Sequence, residues 1–508
     1  MVETPRSLFG NSRLVLGITL CLIFGLGIAI RLYDITDLPL DFHPTRQLFS
    51  AIKARGMYYQ NLPEAPEWQR TLAVQMWKTK VTIEPELLPR LAAFLYQFTG
   101  EELWVPRLIS AVFWVLGGIF LFLLAQDLAT TDGAVLALAF YLFAPYGIIA
   151  SRSFQPDPLM VSSILAYWWL VWRWRQRPSW SWAILAGLVG GFAIFVKLVA
   201  AFFIAGGALG VVVGRFRFHD LVRNAQVWAM LTLGILPGAI WVIDGLFVTG
   251  FLTNEFAGNF LASLLVSPSY YLQWQSNVQT VVGGVVVALA LLGLFLIRQK
   301  DSFVFLVSIW LMYGFFGLYF NYHISTHDYY SLPLISIVAF SLAPLGEWLF
   351  ARVADAAQST WLRIAVYLIV LYGVCASLWV VRNEMKTIDY RPMQVFWAGI
   401  SDVLGPRASV IALTDDYGSG LAFWGWQNAA VWPTSDQLNY RDERGGTYDL
   451  RTFFAERAKK KVYFLVSDLA EFERQPELKR LLYADYPVFS EGEGFVIFDL
   501  VHPYGDQP

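Results

Sequence analysis

The sequence predicts a polytopic α-helical membrane protein, with about eleven spans and a C-terminal α/β domain outside the bilayer. Composition, the spacing of apolar runs and the placement of Lys and Arg between them lead to that class. Of 508 residues, 56% are hydrophobic, 17% aromatic and only 15% charged, against about a quarter charged in an average soluble domain. The bilayer is the solvent that such a composition fits. The net charge of −2 supplies no basic field for nucleic acid. Cys21 and Cys375, the two cysteines, both fall in apolar runs, so they build neither a disulfide framework nor a thiolate metal site.

With about 20 apolar residues as one crossing, the first span covers roughly 14 to 32. Further runs lie near 107 to 126, 133 to 150, 158 to 173, 182 to 197, 198 to 214, 225 to 243, 277 to 297, 303 to 320, 329 to 349 and 363 to 382. Arg6 and Arg13 precede the first span and Arg31 closes it with no small-residue cleavage site behind, which reads as an uncleaved span instead of a signal peptide. Positive residues then occupy alternate loops: Arg173, Arg175 and Arg177; Arg215, Arg217 and Arg223; Arg298 with Lys300; Arg352 with Arg363. The loops 244–276 and 321–328 hold none. Lys and Arg stay on the cytoplasmic side during insertion. The N-terminus is therefore expected in the cytoplasm and the C-terminus outside, in a bacterial plasma membrane.

The membrane region is expected over 1–382 and includes a first outer loop, 33–106. There Pro44 starts a helix in which Leu48, Phe49, Ile52 and Tyr59 recur at helical spacing against Arg46, Lys53 and Arg55, the pattern of a helix lying in the interface. A second helix is expected from Pro85 to Gly100, with Leu88, Leu91, Ala92 and Leu95 on one stripe. From 383 to 508 charge returns. The β-rich runs Val410–Leu413, Val462–Val466 and Phe495–Phe498 alternate there with helical stretches near 394–404, 450–460 and 470–484. About 125 residues of this pattern can bury a core of their own, as an extracytoplasmic α/β domain.

Polar residues placed where water meets the bilayer carry the functional reading. Asp41, in Leu38-Pro39-Leu40-Asp41-Phe42-His43-Pro44-Thr45-Arg46-Gln47, stands within a turn of the expected helix start, where the dipole favours an anion. An ionised carboxylate there is a competent general base, while its residue type alone also suits a capping role. Asp157 at an outer span mouth and Glu84 before Pro85 admit capping as well. Lys197, the lone cation of a tight outer connection, suits phosphate binding or snorkelling to the interface. His323 and His327 have the i, i+4 spacing of a metal pair without an accompanying glutamate motif; donation from His327 to a phosphate fits better. Asp328 and Tyr329 adjoin it. Asp415-Asp416-Tyr417-Gly418-Ser419-Gly420 lacks the third glycine of a nucleotide loop and reads as a turn.

In this order the features resemble the protein mannosyltransferase superfamily of C-type membrane glycosyltransferases, which includes family 39 and the enzymes that put aminoarabinose on lipid A. The resemblance runs over roughly 10–350. It lies in the first span, the Asp41-centred loop with interfacial helices, Glu84-Pro85, Arg107 opening the second span, Asp157, the Gly187–Lys197 span end, and His327-Asp328-Tyr329-Tyr330 before Ser331-Leu332-Pro333-Leu334. It implies the C-type fold and transfer of a sugar from a polyprenyl-phosphate carrier to a hydroxyl of a protein, lipid or glycan. By resemblance Asp41 matches the first-loop catalytic aspartate; Asp157, also at an outer span mouth, is expected beside it as a second catalytic candidate. Lys197, His327 or Arg46 would neutralise the departing phosphate, and His43, Glu84, Asp328 and Tyr329 are secondary candidates. Many members carry Asp-Glu where this chain has Asp41-Phe42-His43, which leaves a divalent metal an open question; no other cofactor is implied. Because sugar nucleotides are cytosolic, an outward-facing transferase needs a donor delivered on a prenyl tail, and one in-line displacement would invert the anomeric centre. The expected partners are that donor, the acceptor and membrane lipids, with no nucleic acid. The alternative is a non-catalytic protein that binds or transports a polyprenyl lipid or glycan. Against conduction, ionisable residues are few at mid-span, and Asp244, the main one, lies near a span end.

Overall fold

The apolar runs read from the sequence are helical, two of them broken into a pair of helices, and the helices differ in whether they are long enough to cross a bilayer alone. The computed structural model describes residues 7–9, 12–213, 215–253, 260–356, 360–443 and 449–504. Arg6 and the chain end at Pro508, both used in the orientation reading, lie outside the described residues. Among the described residues six segments pass by length and hydropathy: Arg13–Leu32, Trp104–Leu128, Ala225–Val248, Lys300–Tyr319, Asp328–Ala354 and Ile364–Leu404. The pair Pro268–Val281 and Gly284–Phe295, bent by 87°, adds a seventh if it counts as one span. This is fewer than the eleven runs. Thr131–Phe143, Trp180–Val196 and Ala200–Val212 are apolar but short, and 13 residues at about 1.5 Å each reach roughly 20 Å of a ~30 Å hydrocarbon core. The run expected over 133–150 breaks at Ala144, where Pro145 removes an N–H donor and starts a separate helix, Pro145–Ala150.

The chain divides into two compact units. The first comprises Met1–Thr36, Val81–Leu88 and Trp104–Ile388, and the second Asp37–Lys80, Pro89–Leu103 and Asp389–Pro508. In the first, small residues set how closely helices approach, as expected where lipid removes the hydrophobic drive between them. A Cβ at Gly133 would collide with the Ala343 carbonyl, so only glycine lets the Thr131–Phe143 and Leu332–Ala356 helices meet there.

In the second unit a helix runs over Pro44–Gln60 from the expected proline, and a further one, Leu87–Thr99, belongs to this unit from Pro89 onward. A helix not anticipated, Glu67–Thr79, lies between them in sequence; its buried face is only Ala73, Met76 and Trp77, too few to stand out against its polar residues. The tail forms a five-stranded sheet of β1 (Val410–Leu413), β2 (Ala430–Val431), β3 (Tyr463–Val466), β4 (Val488–Gly492) and β5 (Phe495–Asp499), in the order β2-β1-β3-β5-β4. β1 is parallel to β2 and β3, whereas β5 is antiparallel to β3 and β4, with Ile411 opposite Phe464 and Phe464 opposite Phe498. Alternate residues of β1 feed two cores. Ile411 and Leu413 join Trp432, Phe464 and Phe498, while Val410 and Ala412 join Trp397, Leu465 and Ile497. Burial on both faces explains why β1 is a continuous apolar run. The helix expected over 470–484 is two, Leu469–Arg474 and Pro476–Asp485, divided at Pro476.

Candidate active site

Asp157 opens the Asp157–Gln176 helix and Lys197 is the C-cap of the Trp180–Val196 helix. A carboxylate therefore stands at a positive helix end and an ammonium at a negative one, the favourable sense at both. The two meet: Lys197 Nζ donates to Asp157 Oδ1 at 2.8 Å, with Asp157 1% and Lys197 3% exposed. Charges so deep persist when paired, because desolvation otherwise costs several kcal/mol per ion. The ammonium is turned onto Asp157 and not outward, so the snorkelling alternative does not describe it. Asp157 Oδ2, also buried, has no hydrogen-bond partner among the described residues. A buried acceptor without a donor is the exception in folded proteins and marks a position that a ligand, a water or a proton would satisfy.

Tyrosines line the rest of this group. Lys197 Nζ lies 4.9 Å from the Tyr329 ring centre and 4.7 Å from that of Tyr330, within cation–π range. The Tyr146 side chain is set against Asp328, with Asp157 and Tyr329 also in its electrostatic reach. His327 exchanges a hydrogen bond through Nδ1 with Thr326 Oγ1 at 2.8 Å and turns its ring edge to Tyr329, while His323 stacks on Tyr330 at 5.3 Å. Among the described residues no three His, Cys, Asp or Glu side chains converge as a metal ion would require.

The segment that delivers Asp157 is clamped by arginines. Ser151, Arg152, Ser153 and Gln155 are all at most 1% exposed. Arg31 Nε donates to Ser151 Oγ at 2.7 Å and Arg31 Nη1 to the Gly27 and Leu142 carbonyls at 2.8 and 3.0 Å. Arg152 donates to the carbonyls of Tyr33 and Asp34 at 2.7 and 2.8 Å. These bonds tie the end of the first span to the loop before Asp157, and planar guanidinium forks do this with little loss of conformational entropy per bond formed. Sequence reasoning took Arg31 only as the close of a span and passed over Arg152 and Tyr146. The available signal was a tyrosine inside an apolar run beside Pro145 and an arginine two residues past the end of that run, since ionisable residues at such depth are rarely idle. Glu84 is half-buried in the bend before the Leu87–Thr99 helix and belongs to the first unit.

Asp41, His43 and Arg46 belong to the second unit. His43, not Asp41, takes the N-cap position of the Pro44–Gln60 helix, with left-handed φ 46° and ψ 68° and no side-chain capping bond. A non-glycine residue held there costs of order 1–3 kcal/mol, and such strain gathers at functional sites. Gln47, fully buried, donates Nε2 to the Phe42 carbonyl at 2.6 Å and reaches Asp41 Oδ1 at 3.5 Å, the outer limit of a hydrogen bond. Asp41 and Arg46 are half-buried. A neighbour that sequence reasoning missed, Asp37, accepts from the backbone N–H groups of Leu38 at 2.8 Å and Tyr390 at 3.2 Å. The structure thus brings Asp157, Lys197, His327, Asp328 and Tyr329 together in one unit and Asp41, His43 and Arg46 in the other.

Comparison with known proteins bears on the same segments. Residues 84–243, which contain Glu84, Asp157 and Lys197, match the family described as dolichyl-phosphate-mannose-protein mannosyltransferase. The fold is similar to that of ArnT from Cupriavidus metallidurans: in the apo state the TM-score is 0.58 at 16% identity over 96% of this chain and 97% of that one. With undecaprenyl phosphate bound to ArnT it is 0.60 at 15% identity, over 94% and 97%. The oligosaccharyltransferase of Archaeoglobus fulgidus matches at TM-score 0.55 and 12% identity, over 91% of this chain and 70% of that one. No curated protein matches the sequence. Residues 84–243 thus match that family, and nearly the whole chain shares the fold of these membrane proteins.

Proposed function

We propose that the chain is a membrane glycosyltransferase that moves a sugar from a polyprenyl-phosphate donor to an acceptor hydroxyl on the outer face. The observation that carries this reading is the buried Asp157–Lys197 pair against Tyr329 and Tyr330, with one carboxylate oxygen unpartnered among the described residues. That ArnT was crystallised with undecaprenyl phosphate supports a lipid-linked donor. In the proposed reaction Asp41 accepts the proton of the acceptor hydroxyl as its oxygen bonds to the anomeric carbon. The bond from that carbon to the phosphate oxygen breaks on the opposite side, and the configuration inverts. General-base help of this kind contributes about 10²–10⁴ in rate. Lys197, held by Asp157, answers the charge that develops on the departing phosphate, with His327 and Arg46 as further cationic or donor groups.

The same proposal has the N-terminus in the cytoplasm, eleven membrane-inserted helical runs and the segment from about 383 outside, where it shapes access of the acceptor. A reporter active only outside the cytoplasm should work after Pro508 and stay silent near Gln176; the reverse would overturn the orientation. The activity is tested by incubating the purified protein, in lipid, with a panel of radiolabelled polyprenyl-phosphate sugars and candidate acceptors. Transfer of label supports the enzyme. Saturable donor binding with no transfer across the panel would favour the lipid-binding alternative.

A further inference from the structure

A cavity of about 390 Å³ in the first unit is lined by Thr130, Leu296, Arg298, Glu347, Trp348 and Arg352, among others. It is remote from the candidate active site along the same two helices. Thr130 precedes the Thr131–Phe143 helix, whereas Tyr146 follows it; Glu347 and Arg352 lie late in the Leu332–Ala356 helix, whereas Tyr329 precedes it. At about 1.5 Å per residue the separation is roughly 25–35 Å, close to the ~30 Å thickness of the hydrocarbon core. The cavity therefore belongs to the other membrane interface, the cytoplasmic one in the proposed orientation.

Its charges are arranged for a ligand carrying both signs. Neither Arg298 nor Arg352 makes a hydrogen bond or salt bridge with another described residue. Arg298 is only within electrostatic reach of Glu347, and Arg352 lies 5.7 Å over the Trp348 ring. Asp132, also on the wall, is already engaged: its carboxylate accepts from Ser7 Oγ at 2.7 Å, from Leu8 N at 2.7 Å and from Phe9 N at 2.9 Å. Two guanidinium groups and one carboxylate remain. The apolar rim includes Phe295, 82% exposed, and Trp348, 44% exposed, and an exposed tryptophan at this depth is an interfacial anchor beside acyl chains. A soluble phosphate would have no use for that rim.

We propose that this cavity binds the headgroup of an aminophospholipid of the membrane, with Arg298 and Arg352 on the phosphodiester and Glu347 on the primary ammonium. Guanidinium suits phosphate because its donors match two oxygens at once. Glu347 separates the aminophospholipid from its relatives. A quaternary choline has no N–H to donate to the carboxylate, and a glycerol headgroup has no cation to offset it.

The full chain in nanodiscs of equimolar phosphatidylethanolamine, phosphatidylcholine and phosphatidylglycerol, released and weighed by native mass spectrometry, tests this without any variant. Phosphatidylethanolamine should be retained several-fold over the other two. Equal retention of all three, or preference for phosphatidylglycerol, would overturn the proposal. Free O-phosphoethanolamine and inorganic phosphate should displace the lipid poorly; efficient displacement by either would show that the site takes a soluble ligand instead. Arg298→Gln with Arg352→Gln should lower lipid retention roughly tenfold or more, as expected for lost charge-assisted bonds. Glu347→Gln should keep a bound phospholipid but erase the preference over phosphatidylcholine, and a preference that survived would remove Glu347 from the site.

Discussion

The two units hold their candidate carboxylates in opposite ways. In the first, Asp157 is sealed among apolar helices, so Lys197 and an Oδ2 without a hydrogen-bond partner among the described residues define it. In the second, Asp41 is half-buried beside a marginal 3.5 Å contact from Gln47, among many other charges. Rarity thus singles out Asp157 and does nothing for Asp41, whose assignment rests on the first-loop resemblance and on its place before the Pro44–Gln60 helix, two residues ahead of the strained His43. In a membrane unit a buried ion pair is informative because it is costly. In a solvated unit a carboxylate needs a kinetic test.

The largest effect expected from this contrast is at the pair. Asp157→Asn or Lys197→Met alone should lower turnover by about 10² or more and destabilise by about 3–5 kcal/mol, because each leaves one charge buried and alone. The combined Asp157→Leu, Lys197→Met chain should recover most of the stability, to within about 1–2 kcal/mol of the original, and none of the activity. Thermal unfolding in detergent beside a transfer assay reads both. A double variant that stayed as unstable as the singles would break the account of the pair. Asp41→Asn comes next: turnover should fall by roughly 10² while donor affinity stays within a few-fold and stability barely moves. Near-normal turnover at saturating donor and acceptor would return Asp41 to a structural role.

Two smaller effects belong to the second unit alone. Thr45 Oγ1 donates to Asp416 Oδ1 at 2.6 Å, so Thr45→Val should cost about 1–2 kcal/mol in unfolding free energy, as for a bond to a charged acceptor. Asp415 is pushed from an ordinary 3.8 up to about 6, first by burial, then by the charge and hydrogen bond of Asp468, then by Asp416 and Glu471. A folded value above the unfolded one means that the protonated form is favoured in the fold. The contribution to stability is therefore complete below about pH 4 and lost as pH rises through about 6. Since the group is about half exposed, screening reduces the effect to about 1 kcal/mol. Asp415→Asn should accordingly stabilise the chain at pH 8 and change little at pH 4; equal changes at both would sharpen the contrast by removing titration from the second unit's behaviour.

How much of this was legible in the sequence depends on range. Asp157 and Lys197 were each nominated from their places at span ends, and both lie at helix ends. Their union was not readable, because the partners are 40 residues apart and one lies at the far end of the intervening helix. Tyr146 stayed hidden because hydropathy averages it into its apolar neighbours, and Arg152 because it stands between two serines just past the run. Glu84, Asp41 and Asp157 read alike as residues before or at a helix start, and nothing local to any of them distinguishes their surroundings.

The sequence by itself determined most of the helices, though not Glu67–Thr79, since an apolar run of sufficient length or an amphipathic repeat after Pro44 acts within its own window, and the three principal strands, whose β-branched and aromatic runs do the same. It left out β2 and β4, a strand of two residues and one whose ends are exposed, because neither carries a pattern of its own and each forms by pairing with a more buried strand, β2 with β1 and β4 with β5. Only the tertiary structure decided that 37–80 and 89–103 join the unit of 389–508, that Lys197 faces Asp157, and that Arg298 and Arg352 share a cavity. Each of these joins residues far apart in the chain. Their contact depends on loop closure and on the packing of everything between them, which no short window of residues records.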